Sequence, residues 1–473
     1  MQGWSCCNGL RASSHVVLIA QTTPIFTLCL SQARLGPPSV GTVPQFRPRM
    51  GSHPAPETGP QQVAMLVQHA GRTDIGAVRT HNEDAFLMDP THRLFAVCDG
   101  VGGRAGGAEA SRIATEHIGT QVGKFRRQLE EFAGGGGSTT RRDVGQILEH
   151  AISEASGRIR HHALANPQLA GMATTAAVVL VAGNHAFVAH VGDSRVYLLR
   201  AGVLHLLTED HSLLNDLRRR GRAPERGSLG AVYHEALTRA LGVLDSARVD
   251  LLDLELLPGD RFVLCTDGVH HVLGEDEMQD IVPRGDVHVV AHELVEAALQ
   301  RGAPDNATAV VIDVLDDAAA DRATRVRRRL EALQGVTMFR YLPFADLMRV
   351  AGIAQERMLA PGTEVFREGE FGESLFILLD GTASVLKSDV EIATLQPGAH
   401  FGEMSLIERA PRSATVKAQT TINLIVIERD AFFSLLSEEA AAVKLLWGLV
   451  RMLNSRLRLT SDELTSLKMG HHS

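Results

Sequence analysis

The sequence predicts an α+β chain: a larger body in which strands end on acids and alternate with helices, then a small β-barrel followed by helices. Three observations carry this. Short apolar runs at Leu94–Cys98, Ala186–Val191, Phe262–Cys265 and Ala307–Val314 have the length and composition of buried strands. Between them, segments such as Asp143–Ala165 place apolar residues (Ile147, Leu148, Ile152, Ile159) at helical spacing. Beyond Phe339, short runs are punctuated by Gly362, Gly369, Gly372, Gly381, Gly398 and Gly402, as in a small barrel.

At 473 residues the chain is long enough for two or three domains. Its net charge of −8 gives no overall basic footprint for nucleic acid. Residues 1–64 differ from the rest. They hold Cys6, Cys7 and Cys29 among scattered Pro, Ser and Thr, and the apolar stretch His15–Leu30 is broken by Gln21–Pro24. That is too short and interrupted for a membrane span, so this stretch is expected to be a disordered leader. Cys98 and Cys265 fall inside apolar runs and are expected to be reduced, which places the protein in a cytoplasm.

The element around which the chain is organised is Leu94–Gly107, a strand, a glycine-rich turn and the start of a helix over Glu109–Ile118. Its residues admit three chemistries. Gly100, Gly102 and Ala105 fit a dinucleotide fingerprint. Cys98 and Arg104 fit the phosphate loop of a cysteine-dependent phosphatase. Asp99 with the Gly100 carbonyl fits a hard-metal site. The other strands favour the last. Asp193, Asp267 and Asp305 also stand at strand ends, beside glycine or asparagine. Four carboxylates at one sheet edge suit Mg²⁺ or Mn²⁺, which take oxygen ligands.

The remaining elements follow in order. Asp74–Arg79 reads as turn then strand. Glu116–Glu131 and Asp143–Ala165 read as helices joined by Gly134–Thr140. Thr174–Leu199 reads as hairpin strands about Gly183-Asn184, and Val289–Leu299 as an amphipathic helix. His161 and His162 are adjacent on a helix and point to different faces, a solvated pair. Arg322–Leu333 reads as a connecting helix.

The motifs RTHNEDAF (79–86), CDGVGG (98–103), GMATT (171–175), HVGDSRVYLLR (190–200), LTRALG (237–242), CTDGV (265–269) and PDNATAVV (304–311) occur in one order. In that order the chain resembles the metal-dependent protein phosphatases of type 2C, their bacterial serine/threonine branch above all. The resemblance implies two stacked antiparallel sheets flanked by helices. It implies a centre of two or three Mn²⁺ or Mg²⁺ ions held by Asp99, the Gly100 carbonyl, Asp193, Asp267 and Asp305. Arg79 is implied to hold the substrate phosphate, with Glu83, Asp84, Asn306 and His271 supporting the ligands. Catalysis then falls to Arg79, Asp99, Asp267 and Asp305, and Leu213–Gly230 is a mobile flap beside them.

Two departures stand out. Animal members carry a histidine after the Asp-Gly, where this chain has Val101. The family usually has an aspartate four residues after Asp267, where this chain has His271, so the third metal site is altered. The competing readings fail on context. Val97 precedes Cys98 where a histidine is usual, Ala105 follows Arg104 where a hydroxyl is usual, and a thiol inside an apolar strand is inert. No ribose-binding acid ends a second parallel strand.

In the C-terminal region, Phe401–Val416 (FGEMSLIERAPRSATV) is similar to the phosphate cassette of cyclic nucleotide-binding domains. The resemblance implies binding by Gly402, Glu403, Met404, Ser405, Arg412 and Ser413: Arg412 on the cyclic phosphate, Glu403 on the ribose hydroxyl, and serine at 413 leaning toward cAMP. Asp430–Leu459 reads as two helices able to close over the base, with Trp447 stacking on it or packed in a core.

The expected division is a leader at 1–64, a phosphatase domain at 65–315, a helical linker at 316–338, a jelly-roll cyclic nucleotide domain at 339–462 and a tail at 463–473. The expected function is dephosphorylation of phosphoserine and phosphothreonine in proteins, the substrates of serine/threonine kinases, under cyclic-nucleotide control. No nucleic-acid or membrane partner is expected. The alternative is a catalytically weak phosphatase-fold scaffold.

Overall fold

The computed structural model describes residues 66–102, 106–135, 137–219, 236–315, 320–436 and 439–470. The expected leader, most of the expected flap, Arg104 and Ala105 lie outside these residues.

The first strands are β1 (Leu66–Asp74), β2 (Asp84–Asp89), β3 (Leu94–Val101), β4 (Ala173–Thr174), β5 (Ala176–Ala182) and β6 (His185–Val191). After them come β7 (Arg195–Arg200), β8 (Val203–Leu206), β9 (Asp250–Glu255), β10 (Arg261–Cys265) and β11 (Ala307–Leu315). They form two sheets, β1-β11-β10-β7-β8 and β2-β3-β5-β6-β9, with β4 paired to β3. Their pairings are antiparallel.

Strand alternation explains why β3 reads as a continuous apolar run. Phe95 and Val97 enter the core between the sheets, against Phe262, Leu264, Val310 and Ile312. Leu94, Ala96 and Cys98 face the other way, onto helices Gly106–Lys124 and Arg141–Ala165. Both faces are buried, so no polar residue interrupts the run before Asp99. Helix Val287–Gln300 covers the outer face of the other sheet through Val290, Leu294 and Ala298. Thr140 and Asp143 close a capping box at the start of helix Arg141–Ala165.

One expected strand is absent. Asp74 ends β1, and residues 75–80 turn rather than extend. Gly76 has φ +78, and a Cβ there would lie 2.2 Å from the Asp305 carbonyl. The chain is folded tightly against the start of β11, leaving no room for an extended segment.

After helix Ala320–Gly335 and helix Phe344–Ile353, eight more strands follow. They are β12 (Gln355–Leu359), β13 (Glu364–Phe366), β14 (Ser374–Asp380), β15 (Ala383–Lys387), β16 (Val390–Leu395), β17 (His400–Phe401), β18 (Thr415–Ala418) and β19 (Ile422–Glu428). They form two four-stranded sheets, β12-β19-β14-β17 and β13-β18-β15-β16, around Phe376, Phe401, Val416 and Leu424. Helices Arg429–Leu436 and Glu439–Gly470 complete the chain.

The two bodies share an apolar core. Leu252 and Leu254 of β9 lie in one cluster with Leu347, Met348 and Val350 of helix Phe344–Ile353. Phe344 stacks on His205 of β8 at 3.9 Å between ring centres. Among the described residues, no helix is long and apolar enough to cross a membrane.

Candidate metal centre and cyclic nucleotide cassette

Antiparallel register sets Asp84 of β2 directly opposite Asp99 of β3. Asp193 follows β6, Asp267 follows β10, and Asp305 precedes β11. The backbone around Asp99 is clamped by two adjacent threonines at the junction of β4 and β5. Thr174 Oγ1 donates to the Asp99 carbonyl at 2.8 Å, Thr175 N donates to it at 2.9 Å, and Asp99 N donates to Thr175 Oγ1 at 2.9 Å. Gly100 has no room for a side chain: a Cβ would lie 2.1 Å from the Gly107 carbonyl.

Asp84 is buried, and its Oδ2 accepts from Thr266 Oγ1 (2.8 Å) and Thr308 Oγ1 (2.6 Å). Asp84 Oδ1 and Asp267 Oδ1 are buried with no hydrogen-bond donor among the described residues. Burial raises the pKa of Asp99 well above the ordinary carboxylate range, and Asp84, Asp267, Asp193 and Asp305 raise it further. Asp193 is raised by burial first, then by Asp267 and Asp210; Asp84 is raised by burial, against the opposing hydrogen bonds from Thr308 and Thr266, with Asp267 and Asp305 adding to the rise. Asp305 is raised by burial and Asp267, against the opposing pull of Arg79. The fold therefore crowds carboxylates together and leaves oxygens without donors. Such a donor set fits hard divalent cations.

Arg79 forms an ion pair with Asp305. Burial acts to lower its pKa, but Asp305, Glu83 and Asp99 outweigh that and hold it above the usual value. Asn306 fixes the loop that carries Arg79. Its Nδ2 donates to the carbonyls of Ile75 (2.9 Å) and His81 (3.0 Å), and its Oδ1 accepts from Glu83 N (2.8 Å). The Glu83 carbonyl in turn accepts from Ser111 Oγ at 2.6 Å.

His271 lies 3.4 Å from Asp267 Oδ2 through its Nδ1. Asp193, Asp267 and His271 each offer a ligand atom within 4.8 Å of the others. His270, which reads from sequence as a surface residue, is buried instead. Its Nε2 donates to the Asp193 carbonyl at 2.9 Å, and burial first, then Arg195 and His271, hold it neutral. Arg195 makes a bidentate pair with Asp210 at 2.9 and 2.7 Å. Residues that sequence reasoning left without a role are His270, Thr174, Thr175, Thr266, Thr308 and Ser111. The two adjacent threonines stand in the GMATT motif, Thr266 in CTDGV and Thr308 in PDNATAVV; His270 and Ser111 carry no local signal.

Cys98 is fully buried, and burial pushes its thiol far above the ordinary range. Cys265 is pushed up to about 12 by burial. Neither supplies a thiolate, so a cysteine nucleophile is excluded at this site. Val101 packs beside Ala173, Leu237 and Ala240.

In the C-terminal body, Glu403 and Arg412 are buried together. Arg412 Nη1 donates to Ser405 Oγ (2.7 Å) and the Gly402 carbonyl (3.2 Å), and Nη2 donates to the Ser374 carbonyl (3.0 Å). Its guanidinium sits 4.2 Å above the Phe366 ring. Burial lowers the Arg412 pKa, opposed by Glu403, Glu428 and Glu370. Gly402 takes φ +78, with its Cβ position 2.6 Å from Arg412 Nη1. Met404 and Ser413 are exposed at the rim. Trp447 is not a core residue. It is 62% exposed on the outer side of the last helix, because Leu445 and Met452 occupy the inner side.

Comparison with known proteins agrees with this arrangement. The cyclic nucleotide-binding domain family model matches residues 356–439, and the protein phosphatase 2C model matches residues 72–307. The serine/threonine protein phosphatase PstP of Mycobacterium tuberculosis is 32% identical over 255 residues, 54% of this chain and 46% of that protein. The chain thus spans about half the length of that relative. A crystal structure of M. tuberculosis PstP/Ppp covers 53% of this chain and 99% of its own at 32% identity, with a TM-score of 0.47. The serine/threonine phosphatase stp of Listeria monocytogenes is 31% identical over 246 residues, which span 94% of that protein. With a bacterial relative 31% identical and covered over 94% of its length, the chain belongs to the protein phosphatase 2C family.

Proposed function

We propose that this chain hydrolyses phosphoserine and phosphothreonine in proteins at a Mn²⁺ or Mg²⁺ centre, under the control of a cyclic nucleotide, cAMP favoured, bound by its C-terminal body. The observation that carries the first part is the gathering of Asp84, Asp99, Asp193, Asp267 and Asp305 around donorless oxygens, beside a charged Arg79.

Asp99, Asp193, Asp267, Asp305 and the Gly100 carbonyl are the proposed holders of the metals. Bound there, such ions supply an acidified water and positive charge for phosphoryl oxygens. Arg79 would exchange its Asp305 partner for two phosphoryl oxygens, for which a guanidinium is shaped. Asp84 and Asn306 keep this geometry fixed, one through two threonine hydroxyls and the other through three backbone groups. Val101 has no proton to give, so the leaving group draws its proton from another source. His271 adds an imidazole to the Asp193–Asp267 pair, which favours Mn²⁺ over Mg²⁺ there.

The scaffold alternative is supported by His271 alone. Asp267→Asn separates the two. It abolishes chelator-sensitive hydrolysis if the carboxylates hold catalytic metal, and changes nothing if the fold is a scaffold.

Control by the C-terminal body is supported by one contact. Lys444 Nζ, on the last helix, lies 2.9 Å from Asp346 and 3.8 Å from Glu209. Glu209 also accepts from Arg219 (2.8 Å) and Asn215 (3.2 Å) of helix Leu213–Arg219, where the expected flap begins. Movement of the last helix on nucleotide binding would reach the flap through this pair. Lys444→Ala is expected to leave basal turnover in place and reduce its response to cAMP. An unchanged cAMP response in the variant refutes this route. The domain limits 65–315 and 339–462, and a cytoplasmic setting, belong to the same proposal; the free, buried Cys98 and Cys265 are consistent with the setting.

A further inference from the structure

A cavity of about 220 Å³ lies between the phosphatase body and the helices that follow it. It sits at the opposite end of β6 and β7 from the metal centre. His185 begins β6 and Arg200 ends β7, and both line the cavity, whereas Asp193 stands in the turn between the two strands. Asp253 and Glu255 of β9 line it too, facing Arg329 of helix Ala320–Gly335 and Gly352 of helix Phe344–Ile353, with Arg141 at the side. Arg200 is 6% exposed. Its Nε and Nη2 donate to Asp260 at 2.8 and 2.6 Å, and Nη2 also donates to the Glu255 carbonyl at 2.8 Å. Its Nη1 is buried and has no acceptor among the described residues. Arg329 Nε is in the same state, while Arg329 Nη2 reaches Glu255 Oε2 at 3.3 Å. Arg141 donates to Asp253 at 3.2 Å and to the Gly352 carbonyl at 3.1 Å.

We propose that this cavity binds a phosphate-class oxyanion, which ties helix Ala320–Gly335 to the phosphatase body. The lining carries three guanidiniums against two carboxylates, and both carboxylates already accept from an arginine. Asp260 is 2% exposed and holds Arg200 from behind, outside the lining. A buried cationic donor without an acceptor is costly. Water supplies acceptors but no charge. A tetrahedral oxyanion supplies both, in the geometry for which a guanidinium is shaped. The volume falls below the roughly 300 Å³ of a site for a drug-sized ligand. The ligand is therefore a free phosphate ion or the phosphoryl end of a short metabolite. Arg328, beside Arg329, donates to the Leu379 carbonyl of β14 at 2.9 Å. One helix thus touches the barrel through Arg328 and the anion through Arg329, so occupancy of the cavity bears on how the two bodies are joined.

The test is calorimetric titration of inorganic phosphate, and separately of glycerol 3-phosphate, into the full chain. Chelator is present throughout, so no metal at the aspartate centre contributes and the result does not depend on the proposed hydrolysis. Arg412→Ala removes the cassette as a competing phosphate site. The expected result is saturable binding in the parent and in Arg412→Ala, weakened roughly tenfold or more in Arg329→Gln. Gly352→Glu is expected to give the same loss by placing a carboxylate at the cavity. It removes no side-chain contact, and a Cβ there meets its nearest atom, Asp253 Oδ1, at 3.7 Å. Equal unfolding midpoints in chloride show that the variants keep the fold. Tighter binding of inorganic phosphate identifies the free ion as the ligand, and tighter binding of glycerol 3-phosphate identifies the ester. No saturable binding of either probe overturns the proposal. So does binding unchanged in both Arg329→Gln and Gly352→Glu, or binding lost in Arg412→Ala, which assigns it to the cassette.

Discussion

Removing the Asn306 side chain tests how the Arg79 loop is held. Asn306 is 3% exposed and makes three hydrogen bonds that join β11 to residues more than two hundred positions earlier. In Asn306→Ala, the carbonyls of Ile75 and His81 and the N–H of Glu83 lose these partners. At about 1 kcal/mol for each bond, the loss is about 3 kcal/mol, large for a single substitution. The assay is urea denaturation of parent and variant at equal slope, paired with steady-state hydrolysis of an aryl phosphate. Misplacing Arg79 by a free energy of only about 1.4 kcal/mol lowers kcat/KM about tenfold. A shift below about 0.5 kcal/mol in Asn306→Ala, with unchanged kcat/KM, would refute the clamp.

Two further predictions follow from buried charge. His190 is fully buried beside His211, neither ring nitrogen has a hydrogen-bond partner among the described residues, and burial lowers its pKa to about 3. Unfolding lets it take up a proton below about pH 6.5, so its contribution to stability falls as pH falls from there towards 3, by roughly 1.4 kcal/mol per pH unit. The raised aspartates contribute with the opposite sign, so the readout is a difference: His190→Gln should gain on the parent as pH falls from 6.5 to 4.5, and a parallel pair of pH profiles contradicts it. Arg412→Ala removes the buried cation proposed for the cyclic phosphate. Calorimetric titration should show at least a hundredfold weaker cAMP binding, about 2.7 kcal/mol, and equal affinity in parent and variant contradicts that assignment.

Much of the site was legible because it is local. Each of Asp99, Asp193, Asp267 and Asp305 stands beside its own strand and turn, so a few residues of context suffice to place it. What the sequence hid depends on distant pairing. Asp84 is organised by Thr266, just past the end of β10, and Thr308 of β11. The register between β2 and β3 brings Asp84 opposite Asp99, and no local pattern specifies it. His270 misled because polar residues after a strand are usually solvated; here a one-turn helix, Asp267–His270, tucks it under the Asp193 carbonyl. In the second body, the glycines announced a small β-structure, but its division into two four-stranded sheets depends on pairings such as β14 with β19.

The central claim is that the strand-end aspartates hold catalytic metal. The direct measurement is aryl phosphate hydrolysis by the full chain across a Mn²⁺ titration, reversed by chelator, with thermal unfolding followed in parallel for parent and Asp267→Asn. Mn²⁺ that binds the folded centre at a hundredfold excess over its dissociation constant stabilises it by about 2.7 kcal/mol. The account predicts saturable, chelator-sensitive turnover and metal-dependent stabilisation in the parent, with turnover abolished and stabilisation weakened in Asp267→Asn. Turnover and unfolding indifferent to Mn²⁺, or a variant as active as the parent, would contradict it.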